Sequence, residues 1–333
     1  MPLLEFTSKG IYCKVANVYL DPWQGVDKAI ISHGHSDHAR WGSKHYITNE
    51  INVPIIRHRL GKISLQGKKY GDPFTINGVN FSFHPAGHVP GSSQIRLEHK
   101  GEVWVFTGDY KTQFDGISTS FEPIKCDTFI TECTFGLPVF RWEEPSKVHQ
   151  EINHWWAQNK ENKTTSLLMG YSLGKVQRLL KHLDPQIGKI YTHGATEKMT
   201  EILREFIDFP KTELITRETN KKEIEGNLVL APPAVLDSSW AKKLGEISTG
   251  YASGWMAFRG ARRRRAIDRA FVLSDHADWQ GLLSSVKATG CENVITTHGY
   301  TDLFAKYLRE NGWNARTEKT KYETETIETV TAE

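Results

Sequence analysis

The sequence predicts an α/β fold in two parts: a β-rich, sandwich-like part split along the chain, and an α/β segment inserted into it. Three observations carry that prediction. Up to about Thr134 the chain reads as short strands with tight turns, and from about Pro138 it alternates helix and strand. From Ala270 onward, motifs of the same ligand-rich kind as in the first part return. A length of 333 residues fits two domains, or one domain carrying a large insertion.

In the first part, Asn17-Val18-Tyr19-Leu20-Asp21 and Lys28-Ala29-Ile30-Ile31-Ser32 are apolar runs followed by loop chemistry. Phe74-Thr75-Ile76 and Val79 to Phe83 flank Asn77-Gly78, a strong hairpin signal. Gln94 to Glu98 and Val103 to Phe106 flank a second turn, and Thr128 to Thr131 reads as a further strand. The middle segment opens with a helix over Pro145 to about Asn159. It continues as strand Ser166 to Met169, helix Lys175 to His182, strand Lys189 to Thr192 and helix Glu197 to Phe206. Strand Leu228 to Leu230 and helix Ser238 to Leu244 follow. That rhythm implies a parallel sheet with helices on its faces. The last part reads as strand Phe271 to Leu273, helix Gln280 to Ala288, strand Asn293 to Thr296 and helix Asp302 to Asn311.

Composition narrows the class. Hydrophobic residues at 38% and charged residues at 24% can form a core, which excludes wholesale disorder. No apolar run approaches the roughly 20 residues of a spanning helix. The opening Met1-Pro2-Leu3-Leu4-Glu5 has no basic or apolar leader region, so a soluble, cytoplasmic protein is expected. The four cysteines form no C-x-x-C pair, so neither a thiolate zinc site nor a disulfide framework is indicated. A net charge of +3 is compatible with a polyanionic partner without requiring one.

Histidine carries the chemistry. His33-Gly34-His35-Ser36-Asp37-His38 follows directly on an apolar strand and puts four ligand-type side chains within six residues. Imidazole and carboxylate together suit Zn²⁺ or Mn²⁺. Alternate residues of an extended segment point the same way, so His33 and His35 converge, while Asp37 and His38 reach a neighbouring point. One segment can then serve two metals. A lone histidine is more often a satisfied core residue; this spacing after a buried strand is specific. His88 in Pro85-Ala86-Gly87-His88-Val89-Pro90-Gly91-Ser92-Ser93 and Asp109 in Thr107-Gly108-Asp109 complete the set, Asp109 as a bridging carboxylate.

These motifs resemble the metallo-β-lactamase fold, and specifically its nucleic-acid-processing β-CASP branch. Thr131-Glu132-Cys133-Thr134-Phe135-Gly136, Ser274-Asp275-His276-Ala277-Asp278 and Thr297-His298-Gly299 resemble that branch's further motifs, in the right order over essentially the whole chain. The most similar group is that of the bacterial DNA-ligase-associated exonucleases, relatives of Artemis-type and messenger-3′-end-processing nucleases. The resemblance implies an αββα sandwich (1–137 and 269–333) with an inserted α/β β-CASP domain (138–268). It implies one metal held by His33, His35, His88 and Asp109, and a second by Asp37, His38, Asp109 and His298. Two divalent ions are expected, zinc first and manganese as the alternative. Asp21 would orient a ligand rather than bind metal. The catalytic set would be Asp37, Glu132 and His276, with Glu132 orienting His276 and His276 contacting the phosphate or protonating the leaving group.

Gly170-Tyr171-Ser172-Leu173-Gly174-Lys175 is one residue short of an ATP-binding loop, and Val176 replaces the magnesium-binding hydroxyl, so an ATPase is rejected. Ser172, Gly174 and Lys175 remain candidates for holding a substrate phosphate at a helix start. In a helix, Arg259, Arg262, Arg265 and Arg269 would form a continuous basic stripe, with Arg262 and Arg265 as further backbone-phosphate contacts. His193 reads as a cleft or packing residue rather than a ligand, and His149, His154 and His182 as surface or boundary residues. The expected function is a two-metal nuclease acting in DNA end processing and repair, with a ligase and a helicase as functional associates by resemblance alone. By the same resemblance, the histidine at position 298 favours the alternative, an RNA-processing nuclease, since the branch's RNA-processing members carry histidine there. More distant alternatives are a small-molecule metallohydrolase and a catalytically silent nucleic-acid-binding subunit.

Overall fold

A computed structural model of the chain describes residues 2–264 and 267–321. It divides into two compact units. The first comprises 2–114, 118–141 and 276–321, and the second 115–117 and 142–275.

In the first unit, β1 (Glu5–Thr7), β2 (Gly10–Cys13), β3 (Val18–Leu20), β4 (Lys28–Ile31), β5 (His45–Asn49) and β6 (Ser64–Lys68) form one sheet in that order, with α1 (Asn52–Leu60) between the last two. The strands β7 (Phe74–Ile76), β8 (Val79–Pro85), β9 (Ser93–His99), β10 (Glu102–Phe106) and β11 (Thr128–Cys133) belong to a second sheet. The second unit contains α2 (Pro145–Glu161), β12 (Thr165–Met169), α3 (Lys175–Lys181), β13 (Ile190–Thr192), α4 (Gly194–Leu203) and β14 (Glu213–Leu214). It continues with α5 (Lys221–Ile224), β15 (Leu228–Ala231), β16 (Ile247–Ala252), α6 (Arg259–Arg264) and β17 (Arg269–Phe271). The chain then returns to the first unit with α7 (Trp279–Thr289), β18 (Asn293–Gly299), α8 (Thr301–Glu310) and β19 (Asn314–Thr317), whose strands complete the second sheet in the order β19-β18-β11-β10-β9-β8-β7.

Strand alternation makes the layers. On β4, Ile30 faces one way and joins Phe83, Ile95, Leu97, Phe106 and Ile130 of the other sheet in a common core. Its neighbours Ala29 and Ile31 face the opposite way and pack with Ile56 of α1. On the second sheet, Val105, Phe129 and Val294 alternate out of that common core and pack against Leu282 and Val286 of α7 and Phe304 and Leu308 of α8. The result is helix, sheet, sheet, helix. The second unit carries a six-stranded sheet in the order β14-β13-β15-β12-β16-β17, with parallel pairing throughout. No helix among the described residues is long and apolar enough to cross a membrane.

The two hairpins form with two-residue turns whose residues all take positive φ: Asn77 at 48° and Gly78 at 81°, Lys100 at 53° and Gly101 at 83°. Several expectations are corrected. The helix over Ser238 to Leu244 is only a 3₁₀ turn at Ala241–Leu244. The strand placed at Phe271 to Leu273 is Arg269–Phe271, because Arg269 pairs with Gly250 of β16. That pairing puts 269–275 in the second unit, so the units divide at 141/142 and 275/276 rather than at 137/138 and 268/269. It also ends the arginine stripe: Arg259 and Arg262 lie on α6, but Arg269 is in a strand, and Arg265 lies outside the described residues.

Candidate metal centre

The carboxyl ends of β4, β8, β10, β11 and β18 supply the site. At the end of β3, Asp21 takes a left-handed backbone (φ 41°), and its buried carboxylate becomes an anchor. Asp21 Oδ1 accepts the Ser32 N–H at 2.7 Å and Oδ2 accepts the Ser32 hydroxyl at 2.5 Å. His38 Nδ1 donates to Asp21 Oδ2 at 2.6 Å, which turns Nε2 toward the other ligands. Asn52 of α1 donates to Gly91 O at 2.7 Å and to Ser32 O at 3.3 Å, and Arg59 donates to Gly34 O at 2.5 Å. These two α1 residues tie the histidine loop to its neighbours. Sequence reasoning missed the helix that carries them.

Two glycines set the remaining ligand turns. Gly87 (φ 75°) lies where a Cβ would come within 2.2 Å of Lys111 O, and a Cβ on Gly108 (φ 55°) would meet Ser32 Oγ at 2.6 Å. Ser92 Oγ accepts the N–H groups of His88 (3.0 Å) and Val89 (3.2 Å), fixing the His88 turn. His298, a non-glycine residue with φ 52°, stores backbone strain at the mouth of β18.

Four donors converge first. His35 Nδ1 lies 3.1 Å from His33 Nε2 and 3.0 Å from His88 Nε2, and Asp109 Oδ2 lies 3.6 and 3.7 Å from those same two nitrogens. A tetrahedral ion bound at 2.0–2.1 Å has ligand–ligand edges of about 3.3 Å, which these separations bracket. Asp37, His38 and His298 form a second group, with ligand atoms within 4.8 Å of one another. His38 Nε2 lies 3.4 Å from both Asp37 Oδ2 and Asp109 Oδ2. It is buried there with no hydrogen-bond partner. A buried ring nitrogen left without a hydrogen bond is costly, and a cation shared with those carboxylates, taking the place of any proton there, would satisfy it. The residues therefore fit divalent ions at both groups, with Asp109 a member of the first and its Oδ2 beside His38 Nε2 of the second.

The electrostatics agree. Burial, with nearby His38 second, holds His33 well below the usual imidazole range, so it keeps a lone pair. Burial also lowers His298. Burial works against the charge on His38, but the Asp109, Asp37 and Asp21 carboxylates outweigh it and push its proton affinity well up. For Asp109 and Asp37 burial opposes ionisation, yet the neighbouring His38 holds both carboxyls below the ordinary range.

Beside the ligands, Glu132 Oε1 accepts His276 Nδ1–H at 2.8 Å and the Tyr110 N–H at 3.0 Å, and Oε2 accepts the Thr134 N–H at 3.2 Å. His276 is thus held by its Nδ1 edge, with its ring against His88 at 4.7 Å.

The phosphate-loop candidates are placed otherwise. Lys175 is 2% exposed; its ammonium lies 2.8 Å from Asp275 Oδ2 and donates to Leu273 O at 2.7 Å. The Gly174 N–H donates to Gln177 Oε1 at 2.8 Å, and Ser172 O accepts from Gln177 Nε2 at 3.0 Å. A buried ammonium must be paired, and this pairing is internal, so neither Lys175 nor Gly174 is available to a phosphate. Ser172 is half-buried. Fully buried Arg178 donates to Asp115 at 2.9 Å, to Ser274 O at 2.9 Å and to Asp275, completing a charge network that local sequence pattern does not reveal. Arg262 is exposed and donates to Met256 O at 2.5 Å. His193 caps α4 and meets the Trp240 ring, whereas His149, expected at a boundary, is buried and stacks on His182 at 4.1 Å.

No family model matches the chain. Over 313 residues it is 31% identical to a probable DNA ligase of Opitutus terrae, covering 92% of this chain and 30% of that protein. It is 23% identical over 221 residues to an RNase J-like protein of Methanocaldococcus jannaschii (56% and 52% covered). To the endoribonuclease YSH1 of Candida glabrata it is 24% identical over 294 residues (69% and 37% covered). The chain thus spans between 30% and 52% of the length of these relatives. A protein of unknown function from Enterococcus faecalis V583 shares the fold at a TM-score of 0.62 and 14% identity, over 89% of this chain and 80% of that one. The relatives are named as ribonucleases and a probable DNA ligase, and the His/Asp clusters of this chain are of a kind that can hold metal ions.

Proposed function

We propose that the chain is a two-metal phosphodiesterase that trims nucleic-acid ends, acting on DNA in end processing, with zinc as its metal. The observation that carries this reading is the pair of ligand groups approaching one another at Asp109, beside the hydrogen-bonded Glu132–His276 pair. His33, His35, His88 and Asp109 would hold one ion, and Asp37, His38, Asp109 and His298 the other. Bound there, the ions supply an activated water and neutralise charge on the phosphodiester. Asp21 keeps His38 in the tautomer that offers Nε2 to the site. Glu132 fixes the proton of His276 on Nδ1 in the neutral ring; when His276 is protonated, Nε2–H can donate to the phosphate or to the departing oxygen, with Glu132 stabilising the imidazolium.

The second unit is read as the inserted β-CASP domain. DNA is favoured because a relative matching 92% of this chain is named a probable DNA ligase, which also suggests a ligation step downstream of trimming. A second reading, an RNA-processing nuclease, is favoured by His298 and by relatives named as ribonucleases. End-labelled single- and double-stranded DNA and RNA, each incubated with the protein and Zn²⁺, Mn²⁺ or Mg²⁺, separate the readings. Shortening of DNA alone supports the first, and shortening of RNA alone the second. No cleavage of any substrate under any metal would remove both.

A further inference from the structure

We infer that Trp41 is a base-stacking subsite, so that the strand entering the metal centre is recognised through unpaired nucleobases. The inference rests on the nuclease reading and adds its recognition element. Trp41 lies three residues beyond His38, so their Cα atoms are no more than about 11 Å apart. Its indole is 74% exposed. No hydrogen bond or ring contact engages it among the described residues.

The backbone around it is pinned. Tyr46 OH donates to Arg40 O at 2.7 Å and accepts the Ser43 N–H at 2.8 Å, bracketing Trp41 on both sides. A Cβ on Gly25 would meet Gly42 O at 2.5 Å, so the next residue is held against a neighbouring loop as well. A flat indole held on a pinned loop and open to solvent is pre-organised to receive a stacked base.

Position adds an independent reason. Phe114, 67% exposed, follows Asp109 by five residues; Val139 and Leu303, also exposed, follow Glu132 and His298 on the loop and helix that leave β11 and β18. Among the described residues, four of the seven exposed large apolar side chains thus lie on segments leaving the site strands. Of these, Trp41 and Phe114 offer flat aromatic faces, which every nucleobase can stack on regardless of sequence. The last turn of α1 carries Arg57, His58 and Arg59, and Arg59 reaches Gly34 O in the histidine loop, so positive charge suited to phosphates lies beside that loop.

The test measures binding of fluorescent single-stranded oligonucleotides, DNA and RNA, to the Asp37→Ala protein with and without Trp41→Ala. Matched oligonucleotides carry abasic residues at their ends. Trp41→Ala should weaken binding of the base-bearing strand by about 5- to 150-fold, Trp41→Phe should recover most of it, and abasic ends should abolish the difference. A blunt duplex should bind both proteins equally. Equal affinity of the two proteins for the base-bearing strand, in a chain whose wild type cleaves it, overturns the stacking subsite and leaves the nuclease reading intact. A wild type that, loaded with Zn²⁺ or Mn²⁺, neither binds nor cleaves any strand overturns both.

Discussion

Each unit buries a dense set of charged groups, and the two sets are resolved in opposite ways. In the second unit, Lys175 and Arg178 face Asp115 and Asp275, two cations against two anions, and the ammonium and guanidinium are bonded to carboxylates and backbone carbonyls. In the first, imidazole nitrogens face one another at 3.0–3.1 Å, and His38 Nε2 has no hydrogen-bond partner. A closed network is explained by folding alone. A convergence of imidazole and carboxylate ligand atoms around a buried nitrogen with no hydrogen bond is not, and the partner that this donor set fits is a cation. The difference teaches that burial and charge do not mark a site by themselves. What marks it is polar capacity that the protein leaves unused.

The comparison breaks most visibly at the ligands. Asp109→Ala removes the carboxylate at which the two groups approach one another and should cut cleavage at least about 10³-fold, with metal content falling by elemental analysis while the fold persists by circular dichroism. The second network should answer in the opposite currency. Arg178→Met leaves buried carboxylates unpaired and should cost about 3–5 kcal/mol in urea unfolding, without lowering metal content. If Arg178→Met loses metal while stability holds, the network has been wrongly read as structural.

Glu132→Gln sharpens the distinction within the first unit. It keeps a hydrogen-bond acceptor for His276 but removes the charge that would stabilise the imidazolium, so activity should fall about 10²-fold while metal content is retained. Loss of an ion would instead make Glu132 a ligand, as its proximity to Asp109 and His276 allows. The smallest effect is expected at Arg262. If it meets backbone phosphate, Arg262→Ala should reduce the salt slope of single-strand binding by about 0.7, and Lys175→Met should leave that slope unchanged. An unaltered slope in Arg262→Ala would leave it a solvated side chain.

How much of this was legible in the sequence follows from the range of each interaction. His33, His35, Asp37 and His38 announce themselves because one extended segment carries them all, and the Asn77-Gly78 hairpin because its turn chemistry is local. The charge partners of Lys175 were not legible: Asp275 lies one hundred positions away, and only parallel pairing of β17 to β16 brings it near. Lys175 therefore looked like a phosphate-loop lysine. Helix α1 escaped because it is only nine residues long and shows a single three-and-four apolar spacing, Val53, Ile56 and Leu60, with a proline in its first turn. With it went Asn52 and Arg59, which hold the histidine loop.

Metal stoichiometry tests the central claim most directly. Wild-type protein stripped with chelator, reconstituted with excess Zn²⁺ or Mn²⁺ and freed of unbound metal should carry two ions per chain, and Asp37→Ala should carry one. Both bound forms should melt at a higher temperature than the stripped protein. Binding of one ion or none by the reconstituted wild type, with no change in melting temperature, would contradict the account.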